Sequence, residues 1–289
     1  AGLGGGAGTL GIGDDAAVVP VDGSLVASVD VVVEGVHADF RLTSLEDFGW
    51  RAVGAALSDL AAMGVLPIGL LSSVVTPDLS RFSELGAGIL GAAKAASCPI
   101  LGGDVSQGPL WSVSITVFGQ TNGASVVRRS GARAGDTLFA TGPLGGAARG
   151  LELLRQGTLA ERDHDVEAIL KHRRPTPLLQ AGVVARSANV HAMCDLSDGL
   201  GLDLDRLAKA SGVGVVVHHV PVFAGASEAQ ALGGGDDYEL LIATSDPEGL
   251  VQAFLSAGLS APMEIGACVA DQAVRELRGE ELRASGWKH

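Results

Sequence analysis

The sequence is poor in aromatic residues, in cysteine and in lysine, and each shortage narrows what the chain can be. Aromatics make up 4% of its 289 residues, against 47% apolar residues overall. Its core must therefore be built from Ala, Val, Leu and Ile, with the 42 glycines allowing close approach. That composition suits strands layered with Ala-rich helices. The three cysteines, Cys98, Cys194 and Cys268, are far apart and odd in number. This excludes a disulfide framework and a Cys-type zinc site, and it fits a reducing cytosol. None of the four lysines follows a glycine in a G-x-x-x-x-G-K-[ST] arrangement, which excludes a P-loop. Lys and Arg total 20 against 33 Asp and Glu, a net charge of −13, so there is no basic face for nucleic acid. Long hydrophobic runs are missing too. The uncharged stretch 60–77 is broken by Gly64, Pro67, Ser72, Ser73 and Thr76, and 105–127 is rich in Ser, Thr, Asn and Gln. Neither reads as a membrane span. The first basic residue is Arg41, so the positive n-region of a secretory signal is absent and a cytoplasmic location is expected.

The length permits one large domain or two ordinary ones. Residues 25–33 are β-rich, and Thr43 and Glu46 have capping-box spacing. Trp50, Val53, Leu57 and Leu60 recur at helical intervals until Gly64. A second helix is predicted over 81–96. Trp111, Val113, Ile115 and Val117 alternate with hydroxyl residues as a half-buried strand, and Asn122-Gly123 marks a turn. The composition shifts at Arg128-Arg129-Ser130-Gly131. We place the boundary there, giving an N-terminal domain of 1–127 and a C-terminal α/β domain of 128–289. In the second, strands are predicted at 137–141, 213–218 and 238–244, and helices at 146–155, up to about 187, 200–210 and 248–257. Residues 161–177 read as a charged connector, and two short strands close the chain.

The informative feature is the placement of aspartates. Gly13-Asp14-Asp15, Asp30, Ser58-Asp59, Gly102-Gly103-Asp104, Asp195-Leu196-Ser197-Asp198 and Gly235-Asp236-Asp237 fall at strand or helix ends, beside apolar segments. Ionised carboxylates are expensive to bury unpaired. Few basic residues lie near these motifs, so the natural partner is a hard cation that prefers oxygen. Any single Gly-Asp pair is more simply a turn or a helix cap. Asp59, inside the apolar stretch Ala-Ala-Leu-Ser-Asp-Leu-Ala-Ala-Met-Gly, resists that explanation. Other matches carry less. Gly11-x-Gly13-x-x-Ala16 fits a loose dinucleotide fingerprint, but Asp14 and Asp15 would face the pyrophosphate. Gly142-Pro-Leu-Gly-Gly146 is a phosphate cradle or a plain turn. His218-His219 reads as a solvated strand end, His37 as a turn residue with no orienting partner in sequence, and Trp287 as a substrate contact or a plug of the core.

Taken in order, the motifs resemble one known family. They are Gly-Ile-Gly-Asp-Asp-Ala-Ala at 11–17, Glu-Gly-Val-His at 34–37, Leu-Ser-Asp-Leu-Ala-Ala-Met-Gly at 57–64, Gly-Gly-Asp at 102–104 and Arg-Ser-Gly-Ala at 129–132. Arg-Pro-Thr-Pro at 174–177, Asp-Leu-Ser-Asp-Gly-Leu at 195–200, Asp-Tyr-Glu-Leu at 237–240 and Gly-Trp-Lys at 286–288 follow. This set resembles the thiamine-monophosphate kinases, within the superfamily that includes aminoimidazole ribonucleotide synthetase and selenophosphate synthetase. The resemblance implies a two-domain α/β (α+β) fold whose N-terminal sheets pair in a homodimer. It implies ATP as co-substrate and several Mg²⁺ ions, held in a cleft between domains. It implies metal ligation by Asp15, Ser28, Asp30, Asp59, Asp104, Asp195 and Asp198, and nucleotide contacts from Gly103, Asp104, Arg129 and Ser197. His37, Asp236 and Trp287 would face thiamine monophosphate.

The chain departs from the family pattern in places. A further segment is usual before Gly-Asp-Asp, where this sequence reads Ala-Gly-Leu-Gly-Gly-Gly; Val29 and Val31 stand where a hydroxyl is common, Ala56 replaces Asn, and Asp236 replaces Glu. The implied reaction is direct in-line transfer of the γ-phosphoryl group to an acceptor phosphate that is already anionic, so no catalytic side chain is assigned. Metal ions would offset the charge of two polyanions inside an acidic protein. A phosphohistidine at His37 is the lesser route. Two other readings remain at this point: another synthetase of the same superfamily, and a non-catalytic acidic metal-binding scaffold.

Overall fold

A computed structural model describes residues 21–157 and 162–287. The chain divides into two compact units. Within the described residues, the first runs to Leu60 and resumes over Val65–Ser125. The second takes Ala61–Gly64 and everything from Val126.

In the first unit the elements follow as β1 (Leu25–Val33), α1 (Leu45–Ala62), β2 (Leu66–Thr76), α2 (Phe82–Ala95), β3 (Ile100–Gln107) and β4 (Ser112–Gln120). The four strands form one sheet in the order β1-β4-β2-β3. β4 runs antiparallel to both neighbours, and β2 and β3 are parallel, with α2 between them in the chain. The alternation read in the sequence is real: Val113, Ile115 and Val117 are fully buried. They meet the apolar stripe of α1, whose Val53, Leu57 and Leu60 are buried as completely. The cap of α1 is Ser44, not Thr43. The Ser44 hydroxyl accepts the Asp47 amide at 3.0 Å, while Thr43 is buried and its own amide donates to Asp39 O. Gly64, at φ +68°, closes the helix where a side chain would be strained.

Glycine also sets the crossing of α1 and α2. A Cβ on Gly88 would stand 1.8 Å from the Glu46 carbonyl oxygen, and one on Gly49 would stand 2.4 Å from that of Leu85. Only hydrogen fits at these points, so the helix backbones touch.

The second unit contains β5 (Thr137–Ala140), α3 (Gly146–Gln156), α4 (Asp163–Arg173), α5 (Leu179–Ser187), β6 (Ala192–Leu196), α6 (Leu200–Ser211) and β7 (Gly214–Val217). It continues with α7 (Glu228–Gly233), β8 (Glu239–Thr244), α8 (Pro247–Ser256), β9 (Met263–Val269), β10 (Arg275–Leu277) and β11 (Glu280–Glu281). Its sheet has seven strands in the order β11-β10-β7-β9-β5-β8-β6. The core collects Leu138, Leu144, Leu196, Leu200, Leu204, Leu207, Val215, Leu241 and Ile265 around this sheet and α6.

Three expectations are corrected here. Residues 161–177 are not merely a connector, since α4 occupies most of them. Its buried residues are Asp165, Ala168 and His172, so it shows no apolar stripe in sequence. It seats on α3 because Gly150 lets the Ala168 carbonyl approach; a Cβ there would lie 2.0 Å from that oxygen. The short helix α7, opened by a Ser227–Gln230 capping box, and the third terminal strand β11 were also not anticipated. All three cysteines are buried and free. No helix among the described residues is long and apolar enough to cross a membrane.

Candidate functional site

In the first unit, β1 presents Ser28 and Asp30 on the sheet face that carries α1. The Ser28 hydroxyl donates to a carboxylate oxygen of Asp59, one turn from the end of the helix. Asp30 lies two residues on, and its Oδ1 accepts the Val31 amide at 2.8 Å. Gly103 pairs in register with Ser72, and a Cβ there would lie 2.2 Å from the Ser72 carbonyl oxygen. Asp104 is next and pairs with Ser73, which puts it on the opposite face of the sheet from Ser28 and Asp30. Ser106, two residues along on the same face, donates to Asp104 Oδ2 at 3.3 Å. The structure therefore brings Ser28, Asp30 and Asp59 together and sets Asp104 apart from them.

His37 does have an orienting partner. The turn after β1 is held by the Val36 and His37 amides on the Val33 carbonyl, and the Val33 amide donates to His37 Nδ1 at 3.1 Å. Neutral His37 then carries its proton on Nε2. Sequence reading missed this because the partner is backbone four residues back.

In the second unit, a knot of backbone hydrogen bonds gathers four of the singled-out residues. Asp198 and Ser197 follow β6, the edge strand beside β8. The Asp236 amide donates to Ser197 O at 2.8 Å, and the Trp287 amide donates to Asp198 O at 3.0 Å. Gly286 admits the last contact, since a Cβ there would fall 2.5 Å from Asp198 O. Asp236 has φ +61°, and its Oδ1 accepts the Tyr238 hydroxyl at 3.3 Å. Trp287 is 48% exposed, so it is not a plug of the core. Asp195 is buried on β6, and Arg129 is exposed.

A basic partner for these carboxylates was also missed. Arg206 Nη1 donates to Asp198 Oδ2 and, at 2.9 Å, to Asp203 Oδ1. Asp203 Oδ2 in turn accepts the amides of Asp198 and Gly199 at 2.9 and 3.1 Å. Burial pushes the Asp203 carboxyl above the usual carboxylate range, against the pull of those bonds. The i,i+3 spacing of Asp203 and Arg206 on one helix was the available signal.

Gly142-Pro-Leu-Gly-Gly146 turns out to serve the chain's own anion. Asp237 Oδ2 accepts the Gly145 amide at 2.7 Å and its Oδ1 the Ala147 amide at 3.4 Å, at the start of α3. Burial pushes Asp237 up to about 7 although both amides favour its ionised form. Beside it, Glu239 takes Thr141 Oγ1 at 2.8 Å and Lys171 Nζ at 3.2 Å.

Asp15 and the Gly11–Gly13 match lie outside the described residues. Among the described residues no three His, Cys, Asp or Glu side chains converge to hold a metal ion. Asp59 pairs with the Ser28 hydroxyl, and Asp198 with the Arg206 guanidinium.

Residues 13–121 match the family "AIR synthase related protein, N-terminal domain", and residues 133–277 match "AIR synthase related protein, C-terminal domain". A thiamine-monophosphate kinase from Synechococcus elongatus is 38% identical over 81% of this chain and 76% of its own length. Among solved structures, the thiamine-monophosphate kinase of Stenotrophomonas maltophilia superposes with a TM-score of 0.84 at 33% identity, covering 94% of this chain and 91% of that one. A structure described as AaThiL complexed with AMPPCP and TMP gives a TM-score of 0.81 at 30% identity, covering 96% and 91%. With both domain patterns in order and relatives alike over most of its length, the chain belongs to the thiamine-monophosphate kinase family.

Proposed function

We propose that the chain phosphorylates thiamine monophosphate to thiamine diphosphate with ATP, as a cytoplasmic homodimer. The observation that carries this is the match to a structure holding AMPPCP and TMP over nearly the whole chain. In the transfer, an anionic oxygen of the acceptor phosphate attacks the γ-phosphorus in line. The bond from that phosphorus to the bridging oxygen breaks, and ADP leaves. The acceptor needs no general base, so no side chain is assigned a proton-transfer role. His37 is held in the turn after β1, where its Nδ1 accepts the Val33 amide.

Magnesium, held by carboxylates such as Asp59, would supply the positive charge that offsets the phosphates in a protein of net charge −13. The donor chemistry fits. Mg²⁺ on a nucleotide uses one or two carboxylates, with water and phosphate completing its shell. A carboxylate beside a hydroxyl, as at Asp59 and Ser28, suits that. We assign Asp15, Ser28, Asp30, Asp59, Asp104, Asp195 and Asp198 to metal, and Gly103, Asp104, Arg129 and Ser197 to nucleotide. His37, Asp236 and Trp287 are assigned to thiamine monophosphate. The test is ADP release with ATP, Mg²⁺ and a panel of phosphorylated acceptors. Turnover is expected only with thiamine monophosphate; turnover with an aminoimidazole precursor or selenide instead would replace this reading.

The strand at 111–117 is not an open edge, because β4 lies between β1 and β2 and its apolar side is buried in its own core. What is exposed is the other face of the sheet. Leu25, Val29, Val31, Leu66 and Leu71 are 53%, 64%, 44%, 49% and 36% accessible. A face this apolar favours a matching face. Light scattering is expected to give twice the chain mass, and Val29→Glu with Val31→Glu should shift it to the monomer.

Trp287→Ala should raise the KM for thiamine monophosphate by roughly 2- to 30-fold, the range of a cation–π contact with the thiazolium ring. The ring is remote from the reacting phosphate, so kcat and the KM for ATP should hold. The anchoring bond to Asp198 is made by the backbone amide and survives truncation. Steady-state kinetics beside a melting curve check this, and an unchanged KM would remove Trp287 from the site.

A further inference from the structure

Asp237 itself takes no part in the function so far assigned, yet its surroundings are closely constrained. Gly235, Asp236 and Tyr238 take φ of +67°, +61° and +51°. A tyrosine in the left-handed region crowds its own backbone, and such residues persist only where neighbouring contacts over-determine them. One side of this loop is pinned by the Asp236 and Tyr238 amides on Ser197 O and Leu196 O, at 2.8 and 2.9 Å. The other side is pinned by the Asp237 carboxylate on the Gly145 and Ala147 amides. That carboxylate is buried, and it sits where the start of a helix stabilises negative charge. Both ends of the clamp are glycine-dependent: a Cβ on Gly145 would meet the Ala231 amide nitrogen at 2.7 Å, and one on Gly235 would meet Ser197 O at 2.8 Å.

The loop aims two side chains. Tyr238 turns its hydroxyl onto Asp236 Oδ1, and Asp236 has a shorter reach than a glutamate would. A short side chain cannot make up for a displaced backbone by choosing another rotamer.

We propose that Asp237 is a positioning residue for substrate recognition: by tying loop 235–238 to the start of α3, it holds Asp236 where thiamine monophosphate binds. This rests on the kinase reading above. Asp237 touches no reacting group and acts through Asp236.

Asp237→Asn keeps the shape and one acceptor but points an NH2 group at an amide. It should raise the KM for thiamine monophosphate about tenfold, with kcat and the KM for ATP unchanged. Glu239→Gln is the control. It alters a neighbouring buried carboxylate that holds Thr141 and Lys171, not the loop, so it should lower the melting temperature and leave both KM values alone. Tyr238→Phe keeps the buried ring and removes the hydroxyl that holds Asp236; it should raise the same KM, and it decides the matter if Asp237→Asn does not fold. Wild-type protein is assayed first, since failure to turn over thiamine monophosphate there sinks the kinase reading and not the clamp. With an active wild type, unchanged KM in a folded Asp237→Asn, or equal KM changes in Asp237→Asn and Glu239→Gln, would overturn the proposal. So would an unchanged KM in Tyr238→Phe, should Asp237→Asn fail to fold.

Discussion

Asp59→Asn is expected to lower kcat by about 10²- to 10³-fold while leaving the protein folded. The size follows from losing one metal-binding carboxylate, worth several kcal/mol of transition-state stabilisation at about 1.4 kcal/mol per decade. The folding half follows from geometry. Asparagine is nearly isosteric, and its carbonyl oxygen can still accept the Ser28 hydroxyl. Among the described residues no Lys or Arg pairs with Asp59, so no salt bridge is broken. A half-buried carboxylate whose partner among the described residues is a hydroxyl is the feature that a cation would complete. A second readout is independent of turnover. Mg²⁺ with a non-hydrolysable ATP analogue should raise the melting temperature of wild type and fail to do so for the variant. Near-normal kcat at saturating Mg²⁺ would end the ligand assignment.

Gly88→Ala should be the most damaging of the small substitutions in the first unit. The added methyl would overlap the Glu46 carbonyl oxygen, with the Trp50 amide nitrogen also only 2.9 Å away. Both obstacles are backbone of α1 and cannot swing aside, so α2 must lift off its neighbour. Overpacking of this kind costs about 3 kcal/mol or more, and at 2–4 °C per kcal/mol in a chain of this size the melting temperature should fall by roughly 6–12 °C. Gly86→Ala is the matched control on the same helix, because its Cβ would meet nothing nearer than Phe82 at 3.9 Å. Equal melting temperatures for the two variants would show that the crossing is looser than drawn.

Local chemistry made much of the fold readable. The alternation of Val113, Ile115 and Val117, the helical spacing of Val53, Leu57 and Leu60, and the stop at Gly64 each depend on residues close in sequence, and each appears in the structure. Helix α4 escaped because its buried face is Asp165, Ala168 and His172, which no apolar period would reveal. In the site, the pairing of Ser28 with Asp59 joins a strand to a helix, and no spacing rule predicts it. Arg206 and Asp237 were passed over for opposite reasons. Arg206 belongs to none of the motifs, yet it reaches back to Asp198. Asp237 looked like the second half of a turn, yet its carboxylate fills the glycine turn of a different motif. Asp104 was grouped with the other aspartates by motif, and only the strand register shows that it faces the other way.

The order of the larger sheet bears on how the chain is made. β5 leaves the ribosome first, but Thr137 pairs with Thr244 on one side and Ala267 on the other. Roughly 100 residues must be added before either neighbour exists, about 5–20 s of synthesis at 5–20 residues per second. For that interval Leu138, Phe139 and Ala140, buried in the finished protein, have two open edges and no sheet. Unpaired apolar strands of this kind stick to one another. The nascent second unit should therefore be the stage at which the protein depends on holding chaperones, and yield of active enzyme should fall with rising expression rate before any change in the stability of the finished molecule is seen.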